Sequence, residues 1–162
     1  MNIRKPLFLL LLFVGACTTD SHSPSTEDVG QWQQTAEKLT TLLKEEKFRE
    51  TENMTKIKLA ELLVNVNDTE KNDTLIKYAR QILSISYYNY LKSKQFRSGI
   101  EYMDSLSQIP FIQENCKHEL LSARASMHQM YGDNEQAIEL ANEYLQLPDY
   151  EDTDRFIPQA EL

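Results

Sequence analysis

The chain has 162 residues, 41% of them hydrophobic and 26% charged, which is about one domain with enough apolar material for a core and is neither disordered nor membrane-embedded in composition. Twenty-five acidic against 17 basic side chains give a formal charge of −8, which disfavours a phosphate backbone and removes nucleic acid from the expected partners. Four glycines and five prolines supply few hairpin turns and favour an all-α chain.

The first element in chain order is a targeting segment. MNIRKP carries Arg4 and Lys5, and the apolar run Leu7 to Ala16 ends on the small residues Gly15 and Ala16, the build of a secretory signal. Crossing a bilayer takes roughly 20 apolar residues, and this run is about half that length before Thr18, Thr19 and Asp20. Val14-Gly15-Ala16-Cys17 resembles the lipobox of bacterial lipoproteins. Ordinary signal cleavage and an uncleaved anchor are the other readings of the segment. The resemblance implies removal of residues 1–16, a thioether-linked diacylglycerol on Cys17 and acylation of the new amino group by a fatty acid such as palmitate. More than one chain makes such an anchor stable, at about 0.8 kcal/mol per buried methylene. Thr18 stands where some bacteria read an aspartate as an inner-membrane retention signal, so the resemblance favours the outer membrane of a bacterial cell envelope. Cleavage also removes two cations, taking the charge from −8 to −10. Only Cys17 and Cys116 could form a disulfide, and lipidation of Cys17 would remove that option, leaving Cys116 as a small packed residue.

Residues 17–30, rich in Ser, Thr, Asp and Pro, read as a flexible spacer. From Gln31 the apolar spacing is helical. Trp32, Ala36, Leu39 and Leu43 form a first stripe, and Met54, Ile57, Ala60 and Val64 are expected to be the inward face of a second helix over about Arg49 to Val66. NVNDTEKND, from Asn65 to Asp73, is a break. A third helix from Thr74 turns Ile76, Ala79, Leu83, Tyr87, Tyr90 and Leu91 inward. Phe96, Ile100, Met103 and Leu106 open a fourth, which Pro110 is expected to stop. A fifth is expected from Glu114 to Tyr131, and after Gly132-Asp133-Asn134 a sixth carries Ala137, Ile138, Ala141, Tyr144 and Leu145 inward. Six helices then form three antiparallel pairs.

The pairs repeat. KQFRSGIEYMDSLSQIP, from Lys94, lies without gaps on YGDNEQAIELANEYLQLP at an offset of 38, pairing Lys94 with Gly132, Gly99 with Ala137 and Pro110 with Pro148. EKFRETE, from Glu46, is a weaker third copy of the corner. These stretches resemble degenerate tetratricopeptide repeats over residues 31–149. Tyr90 and Ala125 match the family's pattern, whereas His128, Tyr144 and Leu106 depart from it, and the spacing is irregular. The resemblance implies a TPR-like solenoid of about three helical hairpins with a concave groove for a protein or peptide. Carried over by position, the groove residues would be Gln81, Ser84, Tyr88, Leu91 and Lys92, with Glu119, Ser122, Ser126, Gln129 and Met130. Residues 150–162 read as a linker and, at Pro158, the start of a further helix.

No metal or other cofactor is expected. Cys116 and His118 point to different helix faces, and His128 is distant in sequence. Asp149, Glu151, Asp152 and Asp154 lack the glycine and bidentate glutamate of a calcium loop. Glu45-Glu46, and Glu50 with Glu52, read as a solvated face, and no nucleophile, base and oxyanion donors assemble into a catalytic set. The expected function is therefore non-catalytic: a lipid-anchored scaffold binding a protein or peptide partner in the envelope. The alternative is the periplasmic sensory front end of a larger repeat-containing signalling protein such as a sensor histidine kinase.

Overall fold

In the computed structural model of the chain, residues 26–64 and 73–148 are described; Cys17, most of the expected spacer and the segment 149–162 lie outside them. The described residues form seven helices and no strand: α1 Thr26–Lys44, α2 Phe48–Val64, α3 Asp73–Lys92, α4 Phe96–Leu106, α5 Pro110–Asn115, α6 Lys117–Tyr131 and α7 Asn134–Leu145. The all-α expectation holds. Residues 26–30, expected as spacer, are the first turn and more of α1.

Pro110 opens a helix as well as following one. Ile109 is extended at φ −91° and ψ 117°, as a residue before proline prefers, and Pro110 takes the first helical position, where its missing amide costs nothing. The short α5 is thus an additional helix, not expected from the sequence; it takes Glu114 and Asn115, and the expected fifth helix begins only at Lys117, as α6, after a break at Cys116. Arg80 of α3 holds that break: its Nε donates to the Asn115 carbonyl at 2.9 Å and lies 3.4 Å from Glu119 Oε1 in the first turn of α6.

Three corners share one backbone design. Glu46, Lys94 and Gly132 have φ of 57°, 57° and 95°, and each stands two residues before the next helix. After each, an amide reaches back five residues: Lys47 to the Leu42 carbonyl, Gln95 to Tyr90 and Asp133 to His128, at 3.0, 3.0 and 2.9 Å. These bonds satisfy carbonyls that the ending helix leaves open. At the last corner the Asp133 side chain also accepts from the Gln136 amide, capping α7.

Packing follows chain order. α1 lies against α2 and α3; α3 against α2, α4 and α6; α6 against α4, α5 and α7. The main core joins Leu39 of α1, Leu59 and Leu62 of α2, Ala79, Ile82 and Leu83 of α3, Met103 and Leu106 of α4, Ile112 of α5 and Met127 of α6. Gly99 makes the α3–α4–α6 approach possible, because a Cβ there would lie 2.5 Å from Met127 Sδ and 2.9 Å from Tyr90 Cβ.

Two expected inward faces are different from the observed ones. On α2 the buried stripe is Thr51, Thr55, Leu59 and Leu62, while Ile57, Ala60 and Val64 face solvent. Burying the threonines is inexpensive because their hydroxyls donate within the helix, Thr51 to the Lys47 carbonyl at 3.0 Å and Thr55 to Glu52 at 2.9 Å. On α7 only Ala137 and Leu140 are buried, and Ile138 and Leu145 are exposed.

Candidate functional site

None of the ten groove residues expected on α3 and α6 is buried: Gln81, Ser84, Tyr88, Leu91, Glu119 and Ser126 are half-buried, and Lys92, Ser122, Gln129 and Met130 are exposed. Two of them act as ties between the helices. Ser126 Oγ lies 2.8 Å from the Tyr87 hydroxyl, and Glu119 pairs with Arg80. Tyr88 stands edge-on to Tyr87 with ring centroids 5.0 Å apart, and its ring packs against the core. What stays open across the two helices is mostly neutral and adaptable, with serine hydroxyls, glutamine amides, part of Tyr88 and the Met130 thioether, and Lys92 is the one charged side chain exposed among the ten.

A second polar group, unforeseen from the sequence, links α2, α3 and α4. Glu52 Oε1 accepts from the Tyr90 hydroxyl at 2.9 Å and pairs with Lys56 at 2.6 Å, and the Lys56 ammonium stands 5.1 Å from the Tyr102 ring centre. Burial acts on the Glu52 carboxyl to raise it, but donation from Lys56 and Tyr90 outweighs burial and holds it below its ordinary 4.5. Burial drives the Tyr90 hydroxyl upward, with the neighbouring Glu52 adding to the effect, and pushes Tyr102 up to about 12. The donors and acceptors here are spent on one another, so the group is a structural tie between hairpins. Its one sequence signal was the glutamate–lysine spacing of four, which is also common on solvated helices.

The remaining candidates are dispersed. His118 Nε2 lies 3.2 Å from the Pro148 carbonyl and its ring is edge-on to Tyr144, while His128 Nδ1 is 3.1 Å from Asp133 Oδ2 at the α6–α7 corner. Cys116 is fully buried, and burial, with Glu119 nearby, pushes its thiol up to about 12, the opposite of an activated nucleophile. Among the described residues no three His, Cys, Asp or Glu side chains converge as metal ligands, and no helix is long and apolar enough to cross a membrane. Comparison of the chain with family models, with curated proteins and with solved structures returns no match.

Proposed function

We propose that the chain is a non-catalytic, lipid-anchored protein of a bacterial envelope, with TPR-like hairpins that bind a protein or peptide partner across α3 and α6. The observation that carries this reading is the packing order. The first helices of successive pairs, α1, α3 and α6, lie in a row, and each second helix also meets the next first helix, α2 with α3 and α4 with α6. That nearest-neighbour order is what stacked hairpins require, and the three like corners support the same repeat. The row leaves Ser84, Tyr88, Ser122, Gln129 and Met130 with solvent access, a mix suited to hydrogen-bonding an extended segment while covering an apolar side chain. The lipobox-like Val14-Gly15-Ala16-Cys17 supports the anchor.

Two measurements test the two halves separately. Intact-mass analysis of membrane-extracted protein should give a chain starting at Cys17 with its acyl groups; an unmodified Cys17 or cleavage elsewhere defeats the anchor. Cross-linking capture from envelopes, repeated with Tyr88→Ala plus Met130→Ala at unchanged melting temperature, should lose its specific partner; an unaltered partner set defeats the groove.

A further inference from the structure

The uncovered stripe of α7 goes beyond that reading, since it lies away from the row of first helices. Ile138, Ala141 and Leu145 follow one another at intervals of three and four, so they share a face, and Ile138 and Leu145 are 63% and 76% exposed. The repeat offset of 38 lays Ile100 and Met103 of α4 on Ile138 and Ala141. On α4 this region is covered: α6 crosses it at Gly99, Met103 is fully buried, and Arg124 of α6 reaches Asp104 at 2.7 Å. The covering element in that precedent is a helix that brings apolar side chains and a basic flank.

We propose that the Ile138–Ala141–Leu145 stripe docks an amphipathic, basic-flanked helix from a partner protein. Charge selects the occupant. α7 carries Glu135, Glu139 and Glu143 and no Lys or Arg, and while Glu143 is paired with Lys117, Glu135 and Glu139 are exposed. Residues 149–162 hold five acidic residues against Arg155 alone, and a second copy would bring a net charge of −8, so both meet like charge. Ala141 at the centre of the stripe allows a close helix approach, with Ile138 and Leu145 flanking the crossing point.

The probe is a stapled synthetic helix with a leucine stripe and lysine flanks, against the same helix with glutamate flanks, measured by fluorescence anisotropy on the full chain. The lysine helix should bind about tenfold tighter or better, and Ile138→Ser with Leu145→Ser should lose about tenfold or more. Glu135→Lys with Glu139→Lys should reverse the preference between the two helices. Equal binding of both helices, or equal binding to the serine variant, overturns the proposal. So does a melting temperature that falls in the serine variant, without any probe, by more than the lost helix propensity accounts for, because the stripe is then already covered by the chain itself. A dimer in sedimentation that the serine variant dissolves overturns it in favour of a second copy.

Discussion

Glu46 and Lys94 occupy the left-handed backbone region in which a Cβ crowds the following carbonyl, whereas the equivalent Gly132 has none to crowd it. The corner geometry is the same at all three, so exchange at one position should have opposite signs along the chain. Lys94→Gly should gain stability, up to about 1 kcal/mol once the looser unfolded chain is counted, and Gly132→Ala should lose about 1 kcal/mol. Urea unfolding of both variants checks it, and a loss in both would mean that the Lys94 side chain contributes more than its backbone strain costs. Titration gives a second residue-scale expectation. Cys116 and Tyr102 are pushed up to about 12 from 9.0 and 10.0, chiefly by burial. Between those values the unfolded chain has released protons that the folded chain keeps. Stability is therefore complete below about pH 9 and falls as pH rises towards 12. Cys116→Ala with Tyr102→Phe should lessen that fall in urea midpoints measured across the range, and Tyr90, raised in the same direction, keeps a remainder of it.

At the scale of elements, legibility depended on how unequal the faces of a helix are. α1 carries one clear apolar stripe, and Ala36, Leu39 and Leu43 are buried as their spacing requires. On α3 Ile76, Ala79, Leu83 and Tyr90 are buried as expected, but so are Leu75, Tyr78, Ile82 and Ile85 on its other faces, while Tyr87 and Leu91 are only half-buried, because four helices pack around it. α2 is apolar on more than one face, with Ile57, Leu59, Ala60, Leu62 and Val64 within two turns, so periodicity alone does not choose. The choice is made by two threonines whose hydroxyls satisfy themselves within the helix, a bond invisible in residue type. Single truncations separate the two faces. Leu59→Ala should cost about 2–5 kcal/mol, whereas Ile57→Ala, 57% exposed, should stay within about 0.5 kcal/mol. Equal costs in urea unfolding would mean that a partner or another segment covers Ile57. The ten positions on α3 and α6 came from a resemblance and not from spacing, and six of them are half-buried. The ties made there by Ser126 to Tyr87 and by Glu119 to Arg80 were not legible, since they join residues 39 apart and on different helices.

For the whole molecule, the consequence of packing in chain order is unequal stability along it. α3 meets α1, α2, α4 and α6, whereas the principal contact of α7 is α6. Ala137 and Leu140, the buried residues of α7, stand outside the main core cluster that joins α1 to α6. Opening α7 therefore breaks one helix interface and leaves the central cluster intact, which is the condition for local rather than global unfolding. Of the ties across that interface, Lys117 to Glu143 lies at the surface and adds little, which leaves His128 to Asp133 and the contacts of His118 with Tyr144 and the Pro148 carbonyl. Leu140→Ala should consequently lower amide protection in α7 first and in α6 next, while α1, α2 and the centre of α3 keep theirs. Hydrogen exchange read by mass spectrometry resolves these segments. A uniform loss in all of them would show that the hairpins unfold as one unit, and that the contacts of α6 transmit a change at α7 to the far end of the chain.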